Sequence, residues 1–220
     1  MLERQLEPEI MDSYEEASGY DQMDHAEVNR LFVDDLLAFG NVGSDILDLG
    51  TGTARIPIEL CRRSEDCRIL AVDMAASMLD LAKLNVELAS LTQRIFLQQT
   101  DAKKMPYEDG EFDTTMSNSI IHHLPDPESA VREAVRVTKP GGMLFFRDLS
   151  RPASQSELDT FVEMYAGSES EHAQQMFADS LAAALTVDEF QQLIVPLGFA
   201  ASSVVMTSDR HWTWAALKPT

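Results

Sequence analysis

The sequence predicts an α/β fold built around a mainly parallel sheet, and three observations carry that prediction. Short apolar runs recur at residues 46–49, 68–73, 95–102 and 112–118, the first three containing or closing on an acid. Stretches with helical spacing of apolar residues separate them, and strands that alternate with helices form parallel sheets with right-handed crossovers and a ligand crevice at the strands' carboxyl ends. The first run, Ile46-Leu47-Asp48-Leu49, passes through Gly50-Thr51-Gly52-Thr53-Ala54 straight into a helical pattern. Glycines accept the backbone angles of such a tight turn and, lacking a Cβ, let a ligand approach the main chain.

Taken in order, Asp24 caps a first helix whose apolar positions Val28, Leu31, Phe32, Leu36 and Leu37 recur at helical spacing until Gly40. Its apolar surface suits a homodimer or docking on its own sheet, and the pattern does not separate the two. Helices are expected over about residues 53–63, 75–89 and 127–138, the last opened by Asp126 as cap with Pro127 at its first position. Residues 154–185 hold two weakly amphipathic helical stretches around Gly167-Ser168, read as an insertion over the active site. Ser154 with Glu157 and Thr186 with Glu189 form candidate capping boxes, the second starting a helix that runs to about Pro196. The tail reads as a hairpin, residues 201–208 and 211–217, turning at Asp209-Arg210.

Composition bounds the function. A chain of 220 residues buries one substantial core, so a single domain is expected. A formal net charge of -20 repels phosphate backbones and anionic lipid, so the expected partner is a small molecule, with no nucleic acid and no membrane. The first residues lack the basic start and apolar core of a signal peptide, and no apolar run is long enough to cross a bilayer, which predicts a cytoplasmic protein. Cys61 and Cys67 read as reduced structural thiols. His25 and His172 sit in no recognised ligand spacing, so no metal is expected.

Arg68-Ile69-Leu70-Ala71-Val72-Asp73 puts an acid roughly 20 residues past the glycines, where a carboxylate meets ribose hydroxyls. Ile121-His122-His123-Leu124-Pro125-Asp126 follows the fourth run, and Arg136-Val137-Thr138-Lys139-Pro140-Gly141-Gly142 leads into Met143-Leu144-Phe145-Phe146. With these motifs the chain resembles the class I S-adenosylmethionine-dependent methyltransferases, of the methyltransferase-11/25 type, over about residues 45–150. The resemblance implies a Rossmann-like, doubly wound, mostly parallel seven-stranded sheet with an antiparallel last strand. It divides the domain into an N-terminal helical cap (1–43), a cofactor-binding core (44–150), a helical insertion after the fifth strand (151–186) and a C-terminal helix and hairpin (187–220). The implied cofactor is S-adenosyl-L-methionine. Main-chain N–H groups at Gly50, Thr51 and Gly52 would take its methionyl portion, Asp48 its ammonium, Asp73 its ribose, and Asp101 and Ala102 its adenine with Met74 against the ring. Ser117 or Asn118 would lie beside the methionine part, and Tyr20 would close the pocket.

Methyl transfer from a sulfonium needs alignment and desolvation more than proton transfer, so a general base is optional. His122 and His123 are the candidates if one exists, since imidazole titrates near neutral pH; supporting the pocket or packing structurally is the competing reading. The resembled strand order pairs the fifth strand with the seventh, so Arg147, Asp148, Arg151, Asp209, Arg210 and His211 are expected to gather near the substrate crevice. Three arginines suggest a site for a small anionic metabolite, against the alternative that they pair with neighbouring acids. Trp212 and Trp214 share one strand face and are expected in the core. Met164, Tyr165, Met176 and Phe177 read either as a mobile apolar cover or as packing between the inserted helices. Besides methyl transfer to a small molecule, two further readings stand: an enzyme making a modified sulfonium, of the carboxy-S-adenosylmethionine synthase type, and a non-catalytic cofactor-binding accessory protein. A nicotinamide dehydrogenase is disfavoured by Asp101, by the stretch from Asn118 to His123, and by Ala54 in place of a third glycine.

Overall fold

Apolar residues at consecutive positions of one strand serve two different cores, because successive side chains leave a strand on opposite faces. The computed structural model describes residues 2–7, 17–19, 21 and 26–220; the predicted cap Asp24, the pocket residue Tyr20 and His25 lie outside the described residues. Its elements run α1 (Ala26–Phe39), β1 (Asp45–Leu49), α2 (Arg55–Arg63), β2 (Arg68–Asp73), α3 (Ala76–Leu88), β3 (Ile95–Gln99) and β4 (Phe112–Asn118). Then follow α4 (Pro127–Val137), β5 (Thr138–Leu149), α5 (Gln155–Ala166), α6 (Glu171–Ala183), α7 (Val187–Ile194), β6 (Val204–Met206) and β7 (His211–Leu217).

The seven strands form one sheet in the order β3-β2-β1-β4-β5-β7-β6. Neighbours from β3 through β5 are parallel, while β7 runs antiparallel to β5 and to β6. The order reverses between β1 and β4, and in such Rossmann-like sheets that switch point opens the ligand crevice. On one face Ile46, Ile69, Met116 and Phe145 pack with Phe32, Leu36, Ile58 and Val86 of α1 to α3. On the other, Leu47, Leu49, Leu144 and Phe146 pack with Val131 and Ala134 of α4, Phe190 of α7, and Trp212 and Trp214. Each fully buried side chain of this size contributes roughly 1.5–3 kcal/mol. Trp212 also stacks on Phe190 with ring centres 4.1 Å apart and donates its indole N–H to the Leu185 carbonyl at 3.1 Å.

Local chemistry sets most boundaries. Asp126 caps α4 by accepting the Ser129 N–H at 3.2 Å, ahead of Pro127. The Thr186–Glu189 capping box closes in both directions, whereas only half of the Ser154 box forms: the Glu157 carboxylate takes the Ala153 N–H instead. α2 starts two residues later than its pattern suggests because Ala54 is left-handed, with φ 62°. The first arm of the predicted C-terminal hairpin shrinks to Val204–Met206, its start forming a 3₁₀ turn over Ala201–Ser203. Among the predicted cover residues, Phe177 packs beside Leu158 and Leu181, while Met164 is exposed.

Candidate functional site

The turn after β1 is built on left-handed backbone at Gly50 (φ 68°), Gly52 (φ 54°) and Ala54. A Cβ on Gly50 would stand 2.0 Å from Ile120 Cγ2, so the glycine is required both by its angle and by the approach of the segment after β4. Ile120 was not singled out by sequence, because its role comes only from this approach. The Thr51 N–H donates to the Val72 carbonyl at 2.9 Å, and the Gly52 N–H donates to Asp73 Oδ2 at 2.8 Å. These two groups, expected to face a ligand's methionyl portion, therefore close the turn against β2; the expectation is corrected because a turn this tight satisfies its own donors first.

Asp73 accepts the Ala75 N–H on Oδ1 at 2.9 Å, so one carboxylate pins both the glycine turn and the entry to α3. Each oxygen keeps a lone pair for a hydroxyl donor. Asp48 is buried close by, and burial pushes its carboxyl up to about 7, with the Asp73 charge adding to the effect. Burial raises Asp73 as well, against three backbone N–H groups that favour its ionised form. The buried Thr51 hydroxyl favours ionised Asp48, against the effect of burial, although it makes no well-formed hydrogen bond. Two desolvated acids beside a glycine turn fit a ligand that carries an ammonium group and ribose hydroxyls. At the end of β2 Met74 is exposed, and its carbonyl accepts from Gln99 Nε2 at 2.8 Å. Asp101, half-buried beyond β3, accepts the Lys103 N–H at 2.9 Å, and the adjacent Ala102 is buried. Ser117 turns its hydroxyl to the Leu49 carbonyl at 3.0 Å, tying β4 to β1, and Asn118 ends β4 half-buried at the same edge.

The 3₁₀ turn Ile121–His123 follows, and here residues assigned separately from sequence come together. His122 Nδ1 lies 2.5 Å from Asp148 Oδ1, both side chains being buried, and Asp148 Oδ2 accepts the Ile121 N–H at 2.6 Å. Burial opposes charging of His122, but the Asp148 and Glu7 carboxylates outweigh it and raise its pKa; burial likewise pushes Asp148 up, and the His122 charge outweighs that and lowers it. His122 Nε2 points to Glu7 Oε1 at 3.5 Å, and His123 Nδ1 lies 3.0 Å from the same oxygen. These three residues form a group whose donor atoms all lie within 4.8 Å of one another, a set that the reading of His25 and His172 did not consider. Sequence reasoning missed Glu7 because no spacing links the chain's first residues to a turn after β4. The structure holds it there through Arg4, whose guanidinium donates to the carbonyls of Ala183, His122 and Leu124.

The arginines do not converge. Arg147 and Asp148 are successive on β5 and so face opposite sides of the sheet. Arg147 turns toward α1, donating to Asp35 at 2.6 Å and to Thr213 Oγ1 at 2.9 Å and lying over the Phe32 ring. Arg151 is buried among the carbonyls of Leu2 and Ala184 and pairs with Glu189 at 2.5 Å. Arg210 pairs with Asp209 and stacks on Tyr165, whose hydroxyl donates to Asp209. His211, half-buried, has its Nδ1 2.8 Å from Ser208 Oγ, and burial with the Arg210 charge lowers it to about 4. The predicted anion site is therefore corrected: each guanidinium is neutralised by an acid where it stands.

Residues 47–146 match a family model described as a methyltransferase domain. Over 111 residues the chain is 34% identical to the demethylmenaquinone methyltransferase of Desulfitobacterium hafniense, covering 50% of this chain and 44% of that protein. It is 32% identical over 126 residues to the ubiquinone biosynthesis O-methyltransferase of Sodalis glossinidius, covering 56% and 49%. The chain thus spans less than half the length of either relative. A SAM dependent methyltransferase from Aquifex aeolicus superposes with a TM-score of 0.71 at 18% identity, covering 94% of this chain and 98% of that one, which shows the shared fold.

Proposed function

We propose that this chain, which matches a methyltransferase domain over residues 47–146, binds S-adenosylmethionine in the crevice between β1 and β4 and transfers its methyl group to a small molecule. The observation that carries the reading is the pairing of Asp48 and Asp73 around the Gly50-Thr51-Gly52 turn at the switch point of the sheet. Asp48 would hold the ammonium, Asp73 the ribose hydroxyls, and Asp101 with Ala102 the adenine edge, with Met74 against the ring. The cofactor supplies an activated methyl group on sulfur, and the chain's task is alignment and exclusion of water. His122 is then a positioning residue, since its Nδ1 is held by Asp148 and its Nε2 faces Glu7 rather than the open crevice. The relatives named above support a small-molecule acceptor, and the net charge of -20 argues against a nucleic acid. The separate commitments of Arg147, Arg151 and Arg210 remove the support they lent to the making of a carboxylated sulfonium.

Calorimetric titration with S-adenosylmethionine, S-adenosylhomocysteine and nicotinamide dinucleotides tests this on the protein and on Asp73→Ala. Saturable binding of the sulfur nucleotides alone, lost or weakened at least tenfold in a folded variant, is the expected result. Preference for a nicotinamide nucleotide, or no binding of the sulfur compounds, overturns it.

A further inference from the structure

We propose that Glu7, His122 and His123 form a zinc site of the two-histidine, one-carboxylate type with an open coordination position. The three donor atoms Glu7 Oε1, His122 Nε2 and His123 Nδ1 all lie within 4.8 Å of one another. Ligands about 2.0–2.2 Å from a tetrahedral zinc stand about 3.3 Å apart, and here the oxygen is 3.0 Å from one imidazole nitrogen and 3.5 Å from the other. Two of the three ligand separations thus match those around a bound ion, and the third pair lies within 4.8 Å.

Glu7 Oε1 and His123 Nδ1 are buried atoms 3.0 Å apart, and neither makes a well-formed hydrogen bond. A buried acceptor left unmade keeps its full desolvation penalty, and a divalent cation between them satisfies both lone pairs at once. The surroundings have the form that metal sites use to fix their ligands. When neutral His122 donates its Nδ1–H to Asp148, its Nε2 lone pair is directed at the site. The Ser180 hydroxyl donates to Glu7 Oε2 at 3.3 Å, which leaves Oε1 for the ion. The His122 and His123 rings lie against each other with centres 4.0 Å apart, and the Gln5 N–H donates to the Ala182 carbonyl at 3.1 Å to hold the segment that carries Glu7. Two imidazoles with one carboxylate are a donor set that catalytic zinc uses, and three protein ligands leave a fourth position for water or a ligand oxygen.

Full-length protein stripped with a chelator and titrated with zinc chloride alone tests the site without reference to cofactor or methyl transfer. One equivalent of zinc is expected to bind with sub-micromolar affinity, and both Glu7→Gln and His123→Asn, checked as folded by circular dichroism, are expected to weaken it at least a hundredfold. His172→Ala, at a histidine away from the cluster, is expected to leave it intact. Absence of saturable binding overturns the proposal, as does binding that survives unchanged in both folded variants. Cobalt(II) provides a reading on the unaltered protein should either variant fail to fold: a visible absorption band of four- or five-coordinate cobalt is expected, and a spectrum of hydrated cobalt only overturns the site.

Discussion

Asp148 and His122 sit 2.5 Å apart with both side chains buried, one at the end of β5 and the other in the turn after β4. The same carboxylate receives the N–H groups of Ile121 at 2.6 Å and Leu149 at 2.6 Å, so a single side chain fixes the loop that flanks the crevice. Breaking a buried pair by deleting one partner leaves the other uncompensated. Asp148→Ala is therefore expected to cost about 3–5 kcal/mol, measured as a lowered urea midpoint. A loss below about 1 kcal/mol would show that the pair behaves as a solvated surface contact.

Asp48 gives a pH signature. Its folded pKa of about 7 stands above its unfolded value of 3.8, so ionising it in the free protein lowers stability progressively as pH rises between those values. A ligand ammonium pairs with the ionised form, so affinity for S-adenosylmethionine is expected to rise as pH passes through about 7. Asp48→Asn is expected to flatten that rise, weaken binding at least tenfold, and make the free protein more stable at alkaline pH. Calorimetry at a series of pH values checks the first two, and thermal melts check the third.

Gly50 tests the shape of the turn. Gly50→Ala places a Cβ against Ile120 in a left-handed backbone, with an expected loss of about 2–4 kcal/mol and of cofactor binding. Adding Ile120→Ala relieves the contact but not the backbone angle, so only part of the stability should return. Full recovery in the double variant would mean that the φ of 68° carries no cost.

Arg147 separates structure from substrate recognition. Its side chain is held by Asp35 and Thr213 over Phe32 on the α1 face, so Arg147→Ala is expected to lower stability by about 1 kcal/mol through lost packing and pairing. Once an acceptor is identified, its KM is expected to stay within about twofold. A large rise in KM with unchanged stability would return Arg147 to the substrate site.

Asp113 reports on acid stability. It accepts the N–H groups of Ser44 and Asp45 and pairs with Lys139 at 2.6 Å; burial opposes its ionisation, but these partners outweigh it and hold it at about 2. The lowered pKa means stability present above the unfolded value of 3.8 and lost as pH falls toward about 2. In Asp113→Asn that part of the acid-side decline should disappear, as followed by denaturant unfolding between those pH values.

The succession of strands and helices along the chain, the glycine turn after β1 and the acids that flank it were legible in the sequence, because each depends on residues near one another in the chain. Apolar runs of strand length, Asp126 before Pro127 and the Thr186–Glu189 box act over a few residues, so the local pattern exposes them. Tertiary structure alone decided where side chains from distant segments meet. The twofold alternation of β5 sent Arg147 to α1 and Asp148 to His122, which dispersed the expected anion site and created a buried acid–imidazole pair. The docking of residues 2–7 against α6 and the turn after β4 brought Glu7 to His122 and His123. Such meetings are set by sheet register and by the packing of segments far apart in the chain, and neither leaves a pattern in any single stretch of sequence.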